Sequence, residues 1–219
     1  MFTGGPWQKA WSNSAPCRSA VDFREVIRTR RMTRSFLASE VDSRIVQECV
    51  ELASRSPSAG KTQGWNLLML EGSDVGQYWD IALPEARRTS FAFPGLLQAP
   101  ILLLSLADRQ AYLQRYSEPD KGASQLGNSL EAWPAPYWTI DASFATMTLL
   151  LALHERGLGS LFFAHAEEQS LRATFNIPDH VEILGAIAVG YPDLSETRRG
   201  RSATRRRRSS SEIIHRQRW

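Results

Sequence analysis

The stretch TIDASFATMTLLLALHERGLGS, residues 139–160, has the strongest helical signal in the chain. It contains no proline or glycine from Thr139 to Glu155, it is apolar almost all round, and it stops at Gly157 and Gly159. Glycine ends helices because it adopts the left-handed conformation that a C-terminal cap requires. A helix without a polar face must be covered on every side, so this one is predicted to lie in a core or a subunit interface.

Four apolar segments outside this helix have the length and composition of strands. Two of them are nearly continuous in apolar residues, which is typical of strands that are buried on both faces. These two are residues 65–70 and 101–107, and the other predicted strands are residues 160–165 and 182–190.

Helices are predicted between and beside these strands. Asp22 is placed as the N-cap of the first, because an aspartate side chain accepts hydrogen bonds from the free amides of a first helical turn. A second helix begins near Asp42, a third covers residues 75–82, and a fourth ends before Pro178. Helices outnumber the strands and flank them, so the sequence predicts an α+β fold with a central mixed sheet.

Composition places the chain among cytoplasmic proteins with one substantial core. It has 219 residues, of which 42% are hydrophobic. No run reaches the ~18 apolar residues that span a bilayer, and no secretory signal pattern opens the chain. The two cysteines, Cys17 and Cys49, suit a reducing compartment and have no metal-ligand spacing, so no metal is expected and Cys49 is interpreted as a small core residue.

The net charge of +3 is concentrated at the C-terminus. Residues 198–219 hold nine arginines and one acid, and the rest of the chain is acidic. A run such as residues 205–208 is typical of a solvated segment that binds nucleic acid or anionic lipid without specificity. The same run is also able to supply guanidinium groups to a phosphate held elsewhere in the protein. Composition is compatible with both interpretations of the run, as a solvated binding segment and as a phosphate ligand.

Three further segments complete the predicted organisation. Residues 1–20 are rich in serine, glycine, proline and tryptophan and are interpreted as an irregular arm. Residues 108–138 are interpreted as a partly helical insertion within the domain formed by residues 21–219. Residues 198–219 form its basic C-terminal extension.

Four motifs occur in the order that is typical of one family of flavoproteins. They are RTRRMTRSF at residues 28–36, SPSAGKTQGW at residues 56–65, GLGSLFF at residues 157–163, and the C-terminal part from GAIAVGYP to RRRRSSSEIIHRQRW, residues 185–219. In this order the chain resembles the nitroreductase family over about residues 22–219. The resemblance implies an α+β sandwich that forms an intertwined homodimer, with flavin mononucleotide (FMN) bound at the dimer interface.

The resemblance assigns the first motif to the two ends of the cofactor. Arg30 corresponds to the arginine that binds the phosphate, and guanidinium groups suit phosphate because they bind it bidentately. Arg31 lies beside the ribityl chain, and Arg34 lies against the polar edge of the ring, where a positive charge tunes the redox potential. Met32 replaces the serine that is usual at its position.

The second motif implies a loop in which small residues let the backbone approach the flavin. Pro57, Ser58 and Gln63 match the family pattern. Lys61 stands where asparagine is usual, and Gly64 replaces the proline before the tryptophan. A lysine donates hydrogen bonds but does not accept one from flavin N3 as an amide oxygen does.

The last two motifs imply further cofactor contacts. Phe162 and Phe163 match positions whose main chain lies near N5 of the ring, although two consecutive phenylalanines in a strand also suit core packing. One arginine before the final SSSEIIH reaches the phosphate in the family. Arg207 and Arg208 both fit that spacing, and His165 is interpreted as structural.

The implied activity is that of an NAD(P)H-dependent FMN oxidoreductase acting on nitroaromatics, quinones or related electron-poor acceptors. The cofactor supplies the difficult chemistry, so neither a catalytic triad nor a dinucleotide fingerprint is required. Alternatives are another activity of the superfamily, of the flavin-destroying or dehalogenating type, and flavin storage without turnover. The insertion of residues 108–138 is expected to cover the active site, and it would decide between the enzymatic alternatives. A nucleic-acid or membrane-surface binder that uses the basic tail leaves the motifs before Gly185 unexplained, so neither partner is expected.

Overall fold

The structure is a computed structural model that describes residues 22–196, 200 and 204–219. The predicted N-terminal arm, with Cys17, lies outside the described residues, as do residues 198, 199 and 201–203 of the basic extension. Within the described ranges, no helix is both long enough and apolar enough to cross a membrane.

Each helix and strand expected from the sequence pattern is present within a few residues of its predicted bounds. The helices are α1 (Phe23–Thr29), α2 (Ser43–Ala53), α3 (Ser73–Ala82), α4 (Glu85–Arg88), α5 (Arg109–Tyr116), α6 (Tyr137–Glu155), α7 (Glu168–Phe175) and α8 (Ser210–Ile213). The strands are β1 (Trp65–Glu71), β2 (Ile101–Asp108), β3 (Gly159–Phe163) and β4 (Val181–Gly190). The side chain of Asp22 caps α1 by accepting from the Arg24 amide, and Asp42 caps α2 in the same way.

The four strands form one sheet in the order β1-β2-β4-β3, and every neighbouring pair is antiparallel. The α+β class is therefore confirmed, but the expectation of a mixed sheet is wrong for the strands described. Helices α3 and α4 return the chain from β1 to the adjacent end of β2, and α7 does the same between β3 and β4, so both connections reverse direction. The parallel pairing seen is an isolated bridge between Met32 and Ser160.

Alternating residues of the central strands divide the core into two layers. On β2, Leu102 and Leu104 face a cluster formed with α3 and α7, whereas Ile101 and Leu103 face a cluster formed with α2 and α6. Strand β2 is buried on both faces as predicted. Strand β1 is not, because it lies at the sheet edge and most of its side chains are only half-buried.

Two sequence interpretations about the core are confirmed. Cys49 is fully buried in the α2–α6 cluster, where burial raises the pKa of its thiol to about 11. The predicted long helix is α6, and it packs against α2 and three strands. Its outward face nevertheless keeps apolar side chains exposed, with Phe144 at 49% and Met147 at 40%.

The 108–138 segment is partly helical and partly loop, as predicted. It begins with α5 and continues through two short 3-10 turns, Gly122–Ser124 and Leu130–Ala132. Trp133 anchors the segment, since its ring centroid lies between 4.6 and 6.4 Å from those of four other aromatic residues. These are Tyr112, Tyr116, Tyr137 and Trp138.

Candidate cofactor site

A half-buried guanidinium group lies where α1 ends beside the C-terminal end of α6. Arg30 is the C-cap of α1, and the preceding Thr29 places its hydroxyl 2.8 Å from Nε2 of His154 on α6. Nη1 of Arg30 is buried and has no hydrogen-bond partner among the residues that the structure describes. An unpaired buried donor of this kind is stabilised when an anion accepts from it.

Neighbouring charges make this end of α6 electropositive. The pKa of Arg30 is lowered by burial first, then by the nearby charges of Arg31 and Arg207. The pKa of His154 is lowered in the same way, by burial first and then by Arg30 and Arg31. Because like charges surround a buried and unpaired N–H, the donor set fits a phosphate group.

Arg207 and Arg208 differ in their surroundings. Arg208 donates through Nη2 to the main-chain carbonyl of Glu212, and Arg206 forms an ion pair with the Glu212 carboxylate at 2.7 Å. That carboxylate also completes the capping box of α8 with Ser209. Both arginines are thus bound within the tail, whereas the charge of Arg207 acts on Arg30.

The remaining residues of the first motif follow the sheet edge. The Thr33 amide donates to the Ser160 carbonyl at 2.9 Å, which places this segment beside β3. Met32 is half-buried and packs against both core clusters. Arg34 donates to the Met32 carbonyl at 3.1 Å, and its guanidinium carbon lies 5.5 Å from the centroid of the Phe93 ring. Arg31 is exposed and donates to main-chain carbonyls of its own turn.

The loop of the second motif lies at the other end of α6. The Ala59 amide donates to Oδ2 of Asp141 at 2.8 Å, and the Tyr112 hydroxyl donates to the same oxygen at 2.8 Å. An open cavity of about 110 Å³ adjoins these groups. Its polar lining includes the predicted residues Ser58 and Gln63. Pro57 lines it as well, whereas Lys61 is exposed.

The backbone of this loop is held in an unusual conformation. Gly60, Lys61 and Gln63 all have positive φ, at 60°, 57° and 56°. For residues with a Cβ this conformation costs about 1–2 kcal/mol each, so it persists only where the surroundings hold it. Such segments are concentrated at functional sites. One contact that stabilises this conformation lies within the loop, where the Gln63 amide donates to the Ser58 hydroxyl at 3.0 Å.

The departure from the family motif at Gly64 has a steric cause. A Cβ at this position would lie 2.6 Å from Cε2 of Tyr112 and 3.0 Å from the carbonyl oxygen of Asp108. Tyr112 is fully buried, and its hydroxyl is fixed by Asp141, so the ring cannot move away freely. Neither proline nor alanine fits here while Tyr112 keeps its place.

We therefore expect Gly64→Ala to destabilise the protein by about 1–3 kcal/mol, the usual cost of overpacking a tight site. Gly76→Ala is the matched control, because it lies within α3 and a Cβ there meets no atom of the described residues within 4 Å. The control should be neutral or stabilising by up to about 1 kcal/mol, since alanine favours helix. Urea unfolding of both variants measures the difference, and equal effects would contradict the steric explanation.

Phe162 and Phe163 place their rings in the core. Phe163 stacks on Trp79 with ring centroids 5.8 Å apart, and Phe162 packs in the opposite cluster. The main chain of β3, an edge strand of the described sheet, is therefore the candidate for a cofactor contact. Trp65 is also structural, because its Nε1 donates to the buried Ser105 hydroxyl at 3.2 Å, and His165 hydrogen-bonds Glu168 at 3.3 Å.

The two halves of the predicted site contact opposite ends of α6. Thr29, which precedes the arginine cluster of Arg30, Arg31 and Arg207, contacts α6 at His154. The loop contacts α6 at Asp141. Along a helix that rises 1.5 Å per residue, these positions are about 20 Å apart. The sequence pattern missed Asp141, although an acid inside an otherwise apolar helix was a visible signal.

Solved structures define the class to which this fold belongs. A nitroreductase family protein from Streptococcus pneumoniae TIGR4 matches with a TM-score of 0.68 at 21% identity, over 88% of this chain and 98% of that one. The chain therefore has the α+β fold of nitroreductases. The model of the nitroreductase family matches residues 27–191, so this chain belongs to the nitroreductase family.

Two curated relatives indicate the type of reaction. A 4-nitrobenzoate reductase of Nocardioides sp. is 27% identical over 211 residues, which cover 84% of this chain and 85% of that protein. An NADH dehydrogenase of Thermus thermophilus is 25% identical over 187 residues, which cover 78% and 87%. Both names denote oxidoreductases, and this is the activity class of the chain.

Proposed function

We propose that this protein is an FMN-dependent oxidoreductase that uses NAD(P)H to reduce a nitroaromatic, a quinone or a related electron-poor acceptor. The observation on which the proposal rests is the buried, unpaired Nη1 of Arg30 among like charges. It lies in the motif that the family uses for the flavin phosphate. The names of the relatives agree with the proposed donor and with one class of acceptor.

The chain's own residues would hold the two ends of the cofactor. Arg30 and Arg207 bind the phosphate, and Arg31 lies along the ribityl chain. Arg34 brings positive charge to the polar edge of the ring. The remaining contacts come from the loop, through Pro57, Ser58, Lys61 and Gln63, and from the main chain of Phe162 and Phe163. When bound, FMN supplies the hydride and electron chemistry, which no protein side chain provides.

The proposed active form is a homodimer. A two-fold axis across α6 sets the C-terminal end of one helix beside the N-terminal end of its copy. Such a packing brings the arginine cluster of one chain close to the Ser58–Gln63 loop of the other, and it covers the exposed Phe144 and Met147. The donor is a cytoplasmic metabolite, so we infer that the reaction takes place in the cytoplasm.

We expect initial rates to give parallel lines in double-reciprocal plots when NADH is varied at several fixed quinone concentrations. The sequence has no dinucleotide fingerprint that would provide a second site, so donor and acceptor must use one site in turn. Oxidation of NADH followed by absorbance measures these rates. Intersecting lines would indicate a ternary complex and would contradict the shared site.

The absorbance spectrum of the purified protein tests the cofactor itself. We expect flavin bands at a concentration close to that of the chain. A colourless preparation that takes up no added FMN would overturn the proposed function.

A further inference from the structure

Helix α5 contacts the strained loop through a group that the family motifs do not include. Nε of Arg115 donates to the carbonyl oxygen of Gly60 at 2.8 Å. The rest of the guanidinium group is fixed, because Nη1 and Nη2 donate to the two carboxylate oxygens of Asp120, each at 2.8 Å. Glu118 accepts a further bond from Nη1 at 3.0 Å. Arg115 thus has one orientation, and it points at the turn of the loop.

The same helix supports both ends of the loop with aromatic rings. A Cβ at Gly60 would lie 3.0 Å from Cε2 of Tyr116, and one at Gly64 would lie 2.6 Å from Cε2 of Tyr112. Tyr112 also acts through Asp141, which accepts from both the tyrosine hydroxyl and the Ala59 amide. Helix α5 therefore contacts the loop at Gly60 and Gly64, and its Tyr112 is linked to Ala59 through Asp141.

These contacts explain how the loop keeps its unfavourable backbone. Lys61 and Gln63 hold left-handed φ values that non-glycine residues rarely adopt, so the segment would relax if its supports were removed. The hydrogen bond from Arg115 to the Gly60 carbonyl is charge-assisted, which makes it one of the stronger supports.

We propose that Arg115 is a positioning residue for the cofactor site: it holds the Gly60–Gln63 turn in the conformation that meets the flavin. Arg115, Glu118 and Asp120 all belong to the insertion of residues 108–138. The insertion therefore supports cofactor binding through the loop. The effect of Arg115 on FMN binding rests on the proposed function. Its effect on the conformation of the loop does not, because that effect depends only on contacts within the chain.

Arg109 provides a matched control on the same helix. It also donates to main-chain carbonyls, through Nε to His180 at 3.1 Å and through Nη2 to Asp179 at 2.6 Å. These acceptors follow α7 and lie outside the loop. A general loss of α5 packing would appear in both variants, whereas a specific hold on the loop would appear only at Arg115.

The experiment compares Arg115→Met and Arg109→Met by hydrogen exchange in the full chain without added flavin. In Arg115→Met we expect the amides of residues 59–63 to exchange roughly tenfold faster, because a charge-assisted hydrogen bond has been removed from the loop. Arg109→Met should leave these amides unchanged. Asp120→Asn, an exposed change that loosens the guanidinium without deleting it, should give a smaller increase in the same residues.

FMN titration of the same proteins, followed by flavin fluorescence, tests the consequence. We expect Arg115→Met to bind FMN roughly tenfold more weakly than the parent, and Arg109→Met to bind it equally well. Unchanged exchange in Arg115→Met, or an equal increase in both variants, would overturn the hold on the loop. Faster exchange with unchanged FMN affinity would overturn the positioning role. A parent that binds no FMN would overturn the proposed function, while the exchange data would still decide the hold on the loop.

Discussion

Arg30→Ala is expected to weaken FMN binding by roughly ten- to a hundredfold, because it removes a charge-assisted contact to a phosphate worth about 1.5–3 kcal/mol. The same change should not destabilise the cofactor-free protein. Nη1 of Arg30 is buried without a partner among the described residues, and Arg31 and Arg207 add repulsion, so its removal relieves an unfavourable arrangement. A substitution that weakens ligand binding without destabilising the free protein is typical of a binding residue. Flavin titration and thermal unfolding measure the two.

The tail arginines provide graded comparisons for this prediction. Arg207→Ala should resemble Arg30→Ala, because the charge of Arg207 acts on Arg30. Arg208→Ala should cost less, since Arg208 donates within the tail to Glu212, and Arg205→Ala should cost least. If all four variants bind FMN like the parent, the arginine assignments are wrong. If deletion of residues 205–219 leaves FMN affinity intact and abolishes nucleic-acid binding, the tail is an interaction arm.

Local pattern was enough to predict the four strands and helices α1, α2, α3, α6 and α7, but not α4 or α8. Helical periodicity, N-cap residues and apolar runs are properties of neighbouring residues, so the bounds of α2, α3 and α6 followed from the sequence. Strand direction was not predicted correctly, because pairing depends on which strand ends the connecting helices bring together. The partial exposure of β1 was missed for a similar reason, since its edge position depends on the strand order.

In the candidate site, too, local motifs named candidate residues but contacts between residues distant in sequence were not predicted. Its loop and arginines were predicted from motifs, but the groups that support the loop were not. Asp141 and Arg115 bond to residues 82 and 55 positions away in the chain, and no local pattern encodes such contacts. The proposed choice of Arg207 over Arg208 likewise depends on the influence of Arg207 on Arg30, because both residues have the same type and nearly the same spacing.

Several apolar side chains are exposed on α6 and on the helices that pack against it. Phe144 and Met147 lie three residues apart on α6, on one outward face. Leu52 on α2, at 54% exposed, and Phe23 on α1, at 69%, add apolar area on neighbouring helices that pack with α6. Exposed apolar side chains on helices that pack together are typical of a protein interface.

The double change Phe144→Glu and Met147→Glu is expected to convert a homodimer into a monomer, because it places four carboxylates, two from each chain, near the two-fold axis without partners. Sedimentation equilibrium measures the state of assembly. Leu194→Glu is the control: Leu194 is 88% exposed in a turn outside α1, α2 and α6, so the same chemical change there should leave the dimer intact.

The monomeric variant should also lose FMN, with affinity reduced by more than roughly a hundredfold, since removing several phosphate and ring contacts together exceeds the loss of one. The reason is the proposed arrangement: the arginine cluster and the loop adjoin α6 at positions about 20 Å apart, and in the proposed dimer each flavin takes its phosphate contacts from one chain and its loop contacts from the other. Assembly and binding are then linked, and added FMN should shift the parent protein towards dimer by mass action. A parent that sediments as a folded monomer with FMN bound, or a double variant that binds FMN as tightly as the parent, would show that each chain builds its site alone.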